Sequence, residues 1–249
     1  MTRQEIKLKA PSVFATSPSP GMSKNYVFVP TFEVVEKFEQ DGWNVSSVKQ
    51  SGKTSYGLHE IRMRNGGLPK VGDSLFEAVI KNSHNGSSKF SLSSGLFRLV
   101  CSNGLTVPLS VSESFNLKHM NFEYDDVKRL GDDFSKKMPI IQNSMDKMMN
   151  RELTIDEKIK LTKEALKIRF QDDSVPTIST IESILVPNRN EDSGDDLWSV
   201  FNVIQEKFVG GGFKFETENG RKRSTKAINN IINSNKLNTK LWELAETMC

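Results

Sequence analysis

Few side chains in this 249-residue chain are of types that do covalent or metal chemistry: His59, His84 and His119, Cys101 and Cys249, and the carboxylate, carboxylate and lysine of Asp73, Glu77 and Lys81. The histidines lie far apart in sequence, and none has a second ligand-type residue at metal-binding spacing. Cys101 with His84 or His119 would supply a nucleophile and a base, but Cys101 closes the apolar run GLFRLVC, where an inert, packed thiol is the expectation. Metal-dependent nucleases usually place the second carboxylate and the lysine two apart on one strand face, whereas Glu77 and Lys81 are four apart. The triple glycine Gly210, Gly211 and Gly212 lacks the following Lys and Ser/Thr of a phosphate-binding loop. The reading is therefore of a protein that is not an enzyme and needs no cofactor or metal.

Binding chemistry is better represented. Arg62, Arg64, Lys70, Lys81, Lys89 and Arg98 fall in the strand region, several on polar positions of adjacent predicted strands, and would form a cationic stripe for phosphates. Arg221, Lys222, Arg223 and Lys226 place four cations in six residues at the start of a predicted helix, whose amides also favour anions. The residues read as nucleic-acid-binding are thus Arg62, Arg64, Lys81, Lys89, Arg98, Arg221, Lys222, Arg223 and Lys226. Trp43, Tyr56 and Phe90 lie near the basic strands and could stack bases, although Trp43 reads better as a core anchor. The formal charge of +3 is unevenly spread: +4 over residues 1–123, −4 over 124–196 and +3 over 197–249. Two basic parts flanking an acidic one suit a protein that meets a polyanion on one face and contacts a neighbour on another.

The elements that must position these residues follow from periodicity. Residues 1–25, rich in Pro, Ser and Thr, read as a flexible arm whose Val13 and Phe14 could dock. An α+β core over residues 26–122 starts with a short strand at 26–29, then a helix from Thr31 carrying Val34, Val35 and Phe38 and stopped by Gly42. Extended segments follow at 44–50, 58–64, 74–81, 88–94 and 105–111, with 95–101 either strand or short helix. In 58–64, Ile61 and Met63 alternate with Arg62 and Arg64, which predicts one buried face and one wet, cationic face. Residues 123–186 are helical, with Pro139 kinking or dividing the first helix and Thr154 with Glu157 forming a capping box. An acidic loop at 187–196 precedes a basic helical segment at 197–249, with helices predicted at 197–208, 224–233 and 239–248. The fold class read from this order is α+β: an antiparallel sheet backed by helices, followed by a mostly helical C-terminal half.

Three stretches carry a family likeness: NSHNGSSKFSLSSGLFRLVCSNGLTV at 82–107, LWSVFNVIQEKFVGGG at 197–212, and the segment from Lys222 to Glu246. With Asn202, Gln205, Glu206 and Gly210-Gly211, they resemble the phage/plasmid-like domain of unknown function carried on prophages, plasmids and tailed phages. That resemblance implies mobile-element biology and brings no catalytic residue. A more distant, architectural resemblance, resting on the helix ending in Gly42-Trp43, then antiparallel strands, then helices, is to ring-forming single-strand annealing recombinases. There a hairpin and helix hold one strand by its backbone, without nucleotide or metal.

The expected function is an ATP-independent, single-stranded DNA-binding and annealing protein of a phage or plasmid, acting in recombination or replication. The partners read are single-stranded DNA and further copies of the chain. The alternative is a protein-protein interaction factor that modulates a host defence system, with a host protein as partner. No segment approaches the roughly 20 apolar residues of a bilayer crossing and the first nine residues hold no apolar run, so the expected compartment is the cytoplasm of a bacterial host.

Overall fold

The computed structural model describes residues 1–68, 70, 74–98, 104–107, 115–116, 124–170, 177–216, 220 and 222–249. It is an α+β protein in two compact units, Met1–Pro139 and Ile140–Cys249. Among the described residues no helix is long and apolar enough to cross a membrane.

The first unit is built on an antiparallel meander in the order β1 (Trp43–Gln50), β2 (His59–Asn65), β3 (Ser74–Asn82), β4 (Ser91–Arg98) and β5 (Gly104–Val107), with β6 (Phe115–Asn116) also paired to β4. Period-two alternation sets the register. Val48 sits opposite Ile61, Ile61 opposite Ile80 and Ile80 opposite Leu92, which gives one continuous apolar face. Helix α2 (Thr31–Gln40) buries Val34, Val35 and Phe38, and packs on β1 with the Phe38 ring 5.8 Å from Trp43, edge-on. Gly42, at φ +84°, supplies the left-handed residue that lets the chain leave α2 and enter β1 directly.

Residues 1–14 are structured, where the composition predicted a loose arm. Helix α1 (Arg3–Lys9) starts with a Thr2/Glu5 capping box, and a 3-10 turn follows at Pro11–Phe14. Ile6, Ala10 and Val13 are buried, so these isolated apolar residues offset the ordering entropy that the proline-rich sequence implied would prevail. Residues 26–29 form no strand. Instead Asn82 donates to the Val29 carbonyl at 3.0 Å and the Tyr26 hydroxyl to the Ser83 carbonyl at 2.7 Å, so side chains satisfy the backbone here.

A buried polar cluster holds this N-terminal segment down. His59 Nδ1 lies 2.8 Å from Ser12 Oγ and 2.9 Å from the Gly57 carbonyl, and His59 Nε2 lies 2.9 Å from Thr31 Oγ1, which also accepts from Asn82. The His84 ring stands 5.2 Å from that of His59. Burial pushes both imidazoles down to about 4, against a weaker opposing effect of the Gly57 carbonyl on His59 and of Ser12 on His84.

The second unit holds the C-terminal part of α3 (Tyr124–Asn150), α4 (Ile155–Phe170), α5 (Ile178–Leu185), α6 (Leu197–Gly210), a hairpin of β7 (Lys214–Glu216) and β8 (Lys222–Ser224), and α7 (Ile231–Glu246). Helix α3 runs through Pro139, and α4 begins on the Thr154/Glu157 capping box. The core gathers Trp198, Phe201 and Trp242, with ring centroids 5.9 to 6.4 Å apart. The acidic stretch 187–196 is anchored: Arg189 forms a bidentate pair with Glu206, Asp192 is buried, and Asp196 caps α6. Sequence periodicity predicted helices at 224–233 and 239–248. The chain instead forms β8 and one helix, α7, capped by Asn230, because residues 222–224 pair with β7, Thr225 bonds to Phe213, and the Ile228 amide donates to the Val209 carbonyl at the end of α6.

A histidine held neutral in the fold lowers stability once the unfolded chain can take up its proton. Conformational stability, measured by urea midpoint, is therefore expected to be level above about pH 6.5 and to fall between about pH 6.5 and about 4. His59→Gln makes that decline shallower; an unchanged slope contradicts the account.

Candidate nucleic-acid interface

The cations of the sheet do not form a free stripe. Register places Glu60, Arg62, Arg64, Glu77 and Lys81 on one face, with Glu60 opposite Lys81 and Arg64 opposite Glu77. Arg62 is 7% exposed and lies between two carboxylates: its Nε donates to Glu60 at 3.0 Å and its Nη1 to Glu77 at 3.0 Å. Arg64 Nε adds a bond to Glu77 at 2.8 Å. A bulge in β1 between Val45 and Ser47 aims the Ser46 hydroxyl at the same carboxylate, 3.2 Å away. Burial disfavours the Arg62 guanidinium charge, but Glu60 and Glu77 more than offset it and hold its pKa above the ordinary value.

This corrects the expectation of a wet cationic face. A guanidinium at this depth is stable only when paired, and alternation shows which residues share a face, not whether that face meets water. Lys81 is half-buried and Lys89 exposed. Phe90 and Trp43 are buried and so cannot stack a base, while Tyr56 is half-buried. Asp73, Cys101, His119 and Arg221 lie outside the described residues, as do the side chains of Arg98 and Arg223. Among the described residues no three His, Cys, Asp or Glu side chains converge as metal ligands.

In the second unit the Arg221 to Lys226 cluster opens no helix: Lys222 and Arg223 are in β8, and Lys226 follows it in extended chain. Two devices fix that segment. Gly211, at φ +69°, lies against the Lys226–Ala227 peptide so closely that an added Cβ would come within 2.5 Å of the Lys226 carbonyl carbon. The Arg169 guanidinium then bridges two carbonyls, Phe208 at 3.0 Å and Lys226 at 3.1 Å, and burial holds it below its ordinary pKa. The result is a concavity of about 240 Å³ lined by Ile168, Arg169, Ile228, Asn233, Lys236, Leu237 and Lys240. Among the described residues its lining carries three cations and no carboxylate.

Lys236 and Lys240 lie one turn apart on α7, both exposed, and neither is ion-paired with a described residue. Sequence reading missed them and Arg169, since single cations on amphipathic helices carry no local signal. Their i,i+4 spacing was the available clue.

The residues that carried the family likeness are chiefly structural. Asn202 donates to the Trp198 carbonyl, Gln205 to Asn238 Oδ1 at 2.9 Å, Glu206 grips Arg189, and Gly211 admits the Lys226 peptide. A family model described as a domain of unknown function, DUF932, matches residues 21–242. The chain belongs to the DUF932 family. It is similar to two proteins of Escherichia coli K12: UPF0380 protein YafZ is 30% identical and UPF0380 protein YfjQ 29%, each alignment covering 100% of this chain and 91% of the relative. No solved structure matches.

Two substitutions test this description. Arg62→Ala removes the guanidinium that bridges two buried carboxylates and is expected to cost about 3–5 kcal/mol of stability by urea unfolding. Gly211→Ala combines a left-handed backbone with a steric clash and is expected to cost roughly 2–4 kcal/mol, read as a lowered melting temperature. Loss of less than about 1 kcal/mol in either would contradict the contacts described.

Proposed function

We propose that this protein binds single-stranded DNA through the exposed basic concavity of its second unit, with Arg169, Lys236 and Lys240 meeting backbone phosphates. The observation that carries the reading is the convergence of three cations, Arg169, Lys236 and Lys240, on one concave surface. Phosphate contacts of this kind supply sequence-independent affinity, which a protein pairing any two complementary strands needs. Lys226 is exposed in the adjoining chain and extends the positive surface.

The wider reading is of an ATP-independent annealing protein of a phage or plasmid, acting in recombination or replication in the bacterial cytoplasm. Several copies would multiply weak sites along a strand. The family membership supports it only in being compatible with mobile-element origin. The architectural likeness to annealing recombinases supports it through the order of helix, antiparallel strands and helices. The sheet cations contribute less to this proposal than their number suggests, because Arg62 is committed to Glu60 and Glu77.

Fluorescence anisotropy of a labelled oligonucleotide with salt titration tests the reading. Lys236→Gln with Lys240→Gln is expected to weaken binding at least tenfold at low salt. It should also reduce the slope of log affinity against log salt by about 1.4, at about 0.7 per lost phosphate contact. Equal affinity and slope in the double variant, or no binding by the unaltered protein, would overturn it. A host protein captured from lysate after nuclease treatment, together with absent DNA binding, would favour the protein-interaction alternative.

A further inference from the structure

The second unit contains another concavity, larger and chemically different, which the DNA-binding reading does not use. It occupies about 580 Å³ between α5 and the β7–β8 hairpin, a size that suits a small-molecule ligand. The hairpin register puts Lys214 opposite Ser224 and Glu216 opposite Lys222, so these four side chains leave one face of the ribbon and all line the cleft. The facing wall is α5, which contributes the hydroxyls of Thr177, Ser179, Thr180 and Ser183.

That wall is fixed at both ends. The Thr177 amide donates to the Glu216 carbonyl at 3.0 Å, and Thr180 Oγ1 accepts from the Glu216 amide at 3.1 Å. At the other end Lys207 Nζ donates to the Ser183 and Ile184 carbonyls at 2.9 and 2.7 Å. The hydroxyls of Thr177, Thr180 and Ser183 are spent on these and neighbouring bonds. By contrast, the side chains of Lys214, Lys222 and Ser224 bond to no other described residue. Among the described lining residues, two ammonium groups and a hydroxyl thus face an open cleft beside one carboxylate.

We infer that this cleft binds a phosphate monoester that also carries hydroxyl groups, of about mononucleotide size. Lys214 and Lys222 together match the charge of a phosphate dianion. Glu216 would repel a bare anion placed against it, but it accepts hydrogen bonds from the hydroxyls of a sugar, and Ser224 can donate or accept. The same ester chemistry occurs in a free nucleotide and at the phosphorylated 5′ end of a strand.

Isothermal titration calorimetry on the full chain tests the assignment, with adenosine 5′-monophosphate, adenosine and inorganic phosphate as probes. Saturable binding of the monophosphate is expected, at least tenfold tighter than adenosine or phosphate. It should weaken at least tenfold in Lys214→Met with Lys222→Met and be unchanged in Lys236→Gln with Lys240→Gln. That last comparison separates failure here from failure of the DNA-binding reading. No binding of the monophosphate, binding no tighter than adenosine or phosphate, or unaltered binding in the Lys214/Lys222 variant would overturn it. In the Lys236/Lys240 variant, tighter binding of a 5′-phosphorylated than a 5′-hydroxyl oligonucleotide assigns the cleft to strand ends. Equal binding of the two, with the monophosphate still bound, assigns it to a free nucleotide.

Discussion

Glu77 is fully buried in the middle of a sheet, and two guanidinium groups and a hydroxyl lie against its carboxylate. Taking any of these charges out of water alone would cost several kcal/mol, so Glu60, Arg62 and Glu77 are buried together, and the half-buried Arg64 completes a set with two charges of each sign. The same rule sorts the cations of the second unit. Arg169 and Arg189 end on carbonyls or carboxylates, and Lys207 caps the last carbonyls of α5. Those cations hold the fold together. Lys214, Lys222, Lys236 and Lys240 are ion-paired with no described residue and line the two concavities.

The clamp at Gly211 links packing to the candidate site. With no side chain there, the Lys226–Ala227 peptide can lie against the end of α6, and Arg169 bridges the Phe208 and Lys226 carbonyls. Chain that could otherwise extend α7 toward its N-terminus is held extended, and α7 begins at Ile231 under the Asn230 cap. Lys236 and Lys240 are thereby set beside Arg169. Gln205 and Asn238 add a buried hydrogen bond between α6 and α7. The residues by which the chain resembles its family thus build the framework on which these lysines stand.

Periodicity and turn chemistry determined much of this protein. The strands beginning near Trp43, His59 and Ser74, the helix starting at Thr31 and ending before Gly42, the capping box at Thr154 and helix α6 are all local events. Each depends on residues within a few positions of one another, so the sequence displays them directly. Tertiary structure decided the rest. Whether the Arg62 face is wet depends on what stands opposite it across β3, and whether residues 1–14 order depends on a surface to receive Ile6 and Val13. Whether residues 224–230 coil into a helix depends on Gly211 and Arg169, reached from distant parts of the chain. Burial, and with it the pairing of charge, is a property of the neighbours a residue meets in space, and spacing along the chain does not encode those neighbours.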